Sequence, residues 1–158
     1  MEIKPDDLSG PGIAAFLEEH IREMRAVSPP ESTHVLDLTG LRSPGITFWV
    51  LWREGGIAGC CALKQLDGRH GEIKSMRTSS TLRRQGLAGR LLEHLIREAG
   101  RRGYSRLSLE TGAMEFFEPA RRLYRRFGFE ECGPFAAYRE DPNSVFLTKV
   151  LSSSATGP

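Results

Sequence analysis

No apolar run in the sequence approaches the roughly 20 residues needed to span a bilayer. The opening stretch, MEIKPDDLSG, is acidic and lacks the hydrophobic segment of a secretory signal. Both absences predict a cytoplasmic protein. Cysteine is scarce, with three in 158 residues. Cys60 and Cys61 sit in an apolar run and Cys132 follows FGFEE. An odd count without regular spacing excludes a disulfide framework and reads as small buried hydrophobes of a reducing compartment. The four histidines have no metal-type spacing to the cysteines, so no metal site is expected. Net charge is only +2, too little to imply a nucleic-acid partner. The G-K-[ST] of a P-loop is absent, and the glycines of RRQGLAG are spaced G-x-x-G, not as a Rossmann fingerprint. No repeat, linker or second domain is visible.

What is present is enough chain for one domain with a real core, placed at residues 1–151, and a polar tail, SSSATGP, expected to be disordered. MEIKPDDL predicts a short first strand. GPGIAAFLEEHIREM predicts a helix with Pro11 in its first turn and Ile13, Phe16, Leu17, Ile21 and Met24 on one face. Pro29 and Pro30 end it. VLDLTGL reads equally as a short helix or an extended segment. ITFWVLW and IAGCCALKQL, separated by REGG, form a hairpin, and EIKSMRT adds a third strand to the meander. A helix follows from about Gln85 to Arg101, with Ala88, Leu91, Leu92, Leu95, Ile96 and Ala99 on one face. YSRLSLE is a strand, Pro119 opens a last helix that Gly128 stops, and FEEC and SVFLTKVL are the final strands. The result is a mixed α/β layer protein with a central, mostly antiparallel sheet.

Charge is unevenly placed. Arg77, Arg83, Arg84, Arg90, Arg97, Arg101, Arg102 and Arg106 face only Glu93 and Glu98 in their segment. A local positive field suits a compact polyanion. The turn Arg83 to Gly89 hands a strand over to a helix whose first N–H groups are unpaired, and Gly86 and Gly89 have no Cβ to hold a phosphate away. On the motif alone two readings stand: a diphosphate cradle, or a connecting turn with a solvated basic helix face.

The segment Glu72 to Ala99 resembles motif A of the GCN5-related N-acetyltransferases (the GNAT superfamily). The pattern [RQ]-x-x-G-x-[GA] is matched by Arg83, Gly86 and Ala88. LYRRFGFEE is similar to the family's second signature, an aromatic Tyr on the last helix followed by G-F. The element order is the family's, and the resemblance covers roughly residues 46 to 150. EIKSMRT and DPNSVFLTK further resemble a bacterial subgroup of acetyltransferases without assigned substrates.

The resemblance implies a three-layer fold with a sheet of about six or seven strands, splayed between the fourth and fifth, and acetyl-coenzyme A as cofactor. It places the pantetheine arm along SMRT, on backbone groups of Met76, Arg77 and Thr78. The diphosphate falls on Arg83, Arg84, Gln85, Gly86, Leu87, Ala88 and Gly89. It implies Glu72 as base, the Met76 N–H as oxyanion donor and Tyr124 as the acid that protonates the leaving thiolate. The chemistry sets three demands: an alkylammonium with a pKa of about 10.4 must lose a proton before it attacks, to Glu72 or, as in other members of the family, to water; the oxyanion needs a donor; and the departing thiolate needs a proton or at least stabilisation. Arg121, Arg122, Arg125 and Arg126 read as a solvated helix face from which one or two side chains reach the 3′-phosphate.

For the acceptor, Glu31, Ser32 and His34 in SPPESTH are candidate polar contacts, Phe48 and Trp49 a candidate apolar wall, and Glu110 and Thr111 another edge. PFAAY carries Ala136 and Ala137 where subgroup relatives resemble PFADY with an acidic residue, which leaves substrate choice open. The expected activity is acetyl transfer to a primary amine of a small molecule or amino-acid-like acceptor, in a ternary complex. The alternatives are a coenzyme A-binding sensor module and a protein N-acetyltransferase. Monomer and homodimer both remain open, the C-terminal strand edge being the route to a dimer.

Overall fold

The computed structural model describes residues 1–30, 38–82 and 85–151. Its elements run in the expected order. They are β1 (Glu2–Pro5), α1 (Pro11–Val27), α2 (Leu38–Leu41), β2 (Ile46–Arg53), β3 (Gly56–Asp67), β4 (His70–Thr78), α3 (Leu87–Arg101), β5 (Arg106–Gly112), α4 (Glu118–Arg126), β6 (Glu130–Cys132) and β7 (Ser144–Val150), with short 3-10 turns at Ser80–Leu82 and Glu115–Phe117. The ambiguous VLDLTGL resolves in part: Leu38–Leu41 is helical, while 35–37 lie outside the described residues. So does the tail, 152–158.

One seven-stranded sheet runs β1-β2-β3-β4-β5-β7-β6. All pairs are antiparallel except β4 with β5. Helices cover both faces, which is why β2 and β3 read as continuous apolar runs instead of alternating ones. Alternate residues serve opposite cores. Trp49, Leu51, Cys61 and Leu63 join Leu87, Leu91, Leu92, Leu95 and Ala99 of α3 and Tyr124 of α4. Phe48, Val50, Cys60 and Ala62 join Ile13 and Leu17 of α1 and Leu41 of α2. Each buried Leu or Ile contributes roughly 1.5–3 kcal/mol.

Two irregularities in β4 place the site. Its parallel pairing with β5 stops after His70↔Arg106, Gly71↔Leu107 and Glu72↔Ser108. Beyond Glu72 the strands part, and among the described residues the edge of β4 facing β5 has no strand partner. Just past that point the β3–β4 register slips between Cys60 and Ala62, and Ser75 takes a φ of +52°. A bulge of this kind bends its strand and re-aims the residues beyond it.

Candidate functional site

The parting of β4 and β5 opens a cleft of about 660 Å³ lined by both strands, the start of α3, α4 along its length, and the far end of α1. On the α3 side, Gly86 has a φ of +75°, a left-handed conformation that glycine adopts without strain, and among the described residues no side chain caps the helix. The first-turn N–H groups therefore keep their donors, and the N-terminal end of the helix dipole adds positive potential. Gly86, Leu87, Ala88 and Gly89 all line the cleft, as do Met76, Arg77 and Thr78 from β4. A Cβ at Gly86 would meet nothing within 4 Å, so the space before the turn is open. Gln85 is turned aside, its side-chain oxygen accepting from Arg53 Nη1. Arg83 and Arg84 lie outside the described residues.

Tyr124 projects from α4 into the same cleft. Its ring packs edge-on against Phe129 at 5.7 Å. Burial raises its phenol above the ordinary value, with a smaller push from Cys61. The hydroxyl makes no hydrogen bond among the described residues and is not among the fully sealed polar atoms. It is a protonated donor facing the cleft.

Glu72, 2% exposed, lines the same cleft. Glu72 Oε2 accepts from Tyr138 Oη at 2.6 Å and from Lys74 Nζ at 3.1 Å. Lys74 Nζ also donates to Tyr138 Oη at 3.0 Å. Glu110 and Thr111 line the cleft beside this group, and Ser144 Oγ donates to Glu110 Oε2 at 2.8 Å.

Several predicted residues stand elsewhere. Trp49 is not a wall of the cleft: it is buried in the α3-side core, edge-on to His94 at 4.9 Å and under the Arg102 guanidinium. Phe48 points the other way, into the α1-side core, because strand neighbours face opposite sides. The Arg77 side chain leaves the cofactor side for α1, where it donates to Glu19 and Glu23 at 3.3 Å and lies over Phe16. Arg121 donates to the carbonyls of Gly112 and Met114 at 2.6 and 2.9 Å and so ties down the loop before α4. Arg122 pairs with Glu118 and Arg125 with Glu131. Arg126 and Arg122 line the cleft. Glu31, Ser32 and His34 lie outside the described residues.

Sequence reasoning missed Tyr138, Lys74 and His20. The first two meet Glu72, from 66 and 2 positions away. His20 is buried on α1 and lines the cleft with Glu23 and Met24. A buried histidine on an otherwise apolar helix face was the available signal for it. Nothing local marks Tyr138.

Comparison with known proteins agrees with this architecture. The model of the acetyltransferase (GNAT) family matches residues 13–129. The uncharacterized N-acetyltransferase YsnE of Bacillus subtilis is 59% identical over 151 residues, covering 96% of this chain and all of that one. An IAA acetyltransferase of Azospirillum brasilense is 40% identical over 88% of this chain and 90% of its own. Among solved structures, a candidate acyl-CoA N-acyltransferase from Klebsiella pneumoniae superposes with a TM-score of 0.77 at 25% identity, covering 96% of this chain and 97% of that one.

Proposed function

Because the chain belongs to the acetyltransferase (GNAT) family, we propose that it transfers an acetyl group from acetyl-coenzyme A to a primary amine of a small-molecule acceptor, both bound at once in the cleft. The observation that carries this reading is the parting of β4 from β5 past Glu72. It leaves a strand edge free to bind an extended arm, with an uncapped helix start at one end and a phenol at the other.

The residues present fit that cofactor. The N–H groups from Gly86 to Gly89 are donors for a diphosphate, and the open space before Gly86 admits it. The backbone of Met76 to Thr78 is the rail for the pantetheine arm, and Arg126 or Arg122 is the partner for the 3′-phosphate. When bound, the thioester supplies an activated acyl group. Glu72 takes the proton that an acceptor ammonium must lose. The Met76 N–H is the oxyanion donor. Tyr124 keeps its proton at neutral pH and offers it to the departing sulfur. Glu110 and Thr111 form the acceptor edge.

Calorimetric titration with acetyl-coenzyme A, then thiol release over a panel of amines and IAA, tests the proposal. Saturable binding and amine-dependent thiol release are expected. No binding at high micromolar cofactor would remove it. Tight binding with no transfer to any acceptor would favour a sensor module instead.

A further inference from the structure

Glu72 is held by two side chains that carry no family motif. Both hydrogen bonds from Tyr138 and Lys74 land on Oε2. Among the described residues the Glu72 side chain makes no further hydrogen bond, yet Oε1 is not among the buried, unpartnered polar atoms. The two carboxylate oxygens are therefore distinct: Oε2 is saturated, and Oε1 is open to the cleft that Glu72 lines. A carboxylate buried to this degree is costly unless paired and hydrogen-bonded. Here that support falls on one oxygen only.

Tyr138 is itself fixed. Its N–H donates to the Phe135 carbonyl at 3.0 Å across a turn in which Ala136 takes a φ of +52°. Its ring packs on Phe135 and Phe146 with centroids 5.1 and 5.5 Å away. Lys74 Nζ lies 5.6 Å from the ring centroid. Burial first, then the charge of Glu72 and its hydrogen bond, then Glu110, hold the phenol proton in place. The donor thus comes from a braced turn on the β6–β7 connection and reaches across to β4.

We propose that Tyr138, seconded by Lys74, is a positioning residue that locks the Glu72 carboxylate so that Oε1 faces the acceptor amine. This rests on Glu72 being the base, as proposed above. In the step it serves, an N–H bond of the acceptor ammonium breaks and an O–H bond forms at Oε1. Tyr138 and Lys74 keep their own protons throughout. A carboxylate anchored through one oxygen loses little orientational freedom when the acceptor arrives, which is the source of the rate gain.

The test is a double-mutant cycle on kcat, using wild type, Glu72→Gln, Tyr138→Phe and the double variant with an amine that the panel above shows to be acetylated. Tyr138→Phe keeps the packed ring and removes only the hydroxyl. It should lower kcat by about tenfold or more while leaving the Kd for acetyl-coenzyme A within about twofold. In the Glu72→Gln background the same change should act by less than about twofold, since no base remains to be positioned. Lys74→Met removes the second donor and should be non-additive in the same way, which gives an independent reading should Tyr138→Phe prove unstable. Wild-type kcat in Tyr138→Phe, or an equal loss in both backgrounds, overturns the proposal while a slow Glu72→Gln enzyme preserves the base. Wild-type kcat in Glu72→Gln, or no acetylated amine at all, removes both.

Discussion

Tyr124 and Glu72 line one cleft, and in Tyr124 burial acts on the proton. The phenol is raised by desolvation, so it holds its proton across the physiological range and stays a donor. Tyr124→Phe keeps the ring against Phe129 and deletes that donor. Turnover should fall by about 10²-fold, within the span typical of a single general acid, while acetyl-coenzyme A affinity stays near wild type. Steady-state kinetics beside calorimetry separates the two, and unchanged turnover would take Tyr124 out of the acid role. At this scale the motifs pointed to residues that line the cleft, and the sequence misled where proximity in sequence stood for proximity in space. Phe48 and Trp49 are neighbours, yet the strand sends them into opposite cores. Tyr138 and Glu72 are 66 positions apart, yet they touch at 2.6 Å.

Among the elements, β4 decides the site. Its bulge at Ser75 and its early departure from β5 expose the edge proposed to take the cofactor arm. Gly59 on β3 is the counterpart of that distortion. A Cβ there would stand 2.8 Å from the Arg77 carbonyl and 3.0 Å from Leu91 Cδ1. The first neighbour is backbone and cannot swing away, so β4 itself must move. Gly59→Ala should cost about 1–3 kcal/mol and weaken acetyl-coenzyme A binding through the displaced Arg77–Thr78 edge. Chemical denaturation with calorimetry checks both, and an unchanged cofactor Kd would mean that this edge does not bind it. The strands themselves were legible because apolar runs are punctuated by EGG, DGRHG and Pro–Gly stretches. The bulge was not. It arises from a register slip between two strands, and no single residue of EIKSMRT announces it.

Across the whole molecule, the sheet separates two cores, and the α1 layer is tied to β4 by a charged cluster built on the buried Arg77 and His20, with Glu19 and Glu23 reaching it from the more exposed side of α1. Arg77, 5% exposed at its side chain, bonds to Glu19 and Glu23 and lies 3.4 Å from His20 Nδ1. A layered, mostly antiparallel α/β architecture followed from the order of periodic segments and its three layers from the family resemblance, but this tie joins α1 to a strand more than 50 positions away, and the histidine on the apolar face of α1 was its one local trace. It has a consequence for global stability. Burial, then the Arg77 charge, pushes His20 down to about 4 from 6.5, against a smaller opposing pull from Glu23. The folded state therefore prefers the neutral ring, and the unfolded chain takes a proton first on acidification. His20's contribution is complete above pH 6.5, shrinks as pH falls through that value, and is lost by about pH 4. Between pH 7.5 and 5 the loss amounts to about 2 kcal/mol. His70 and His94 are also lowered by burial and add to the same slope, so wild type alone does not isolate His20. His20→Gln does: denaturation at the two pH values should show a slope shallower by about that amount. An identical slope in variant and wild type would mean that the ring is protonated or solvated in the folded state, and that the buried tie between α1 and β4 does not discriminate against its charge.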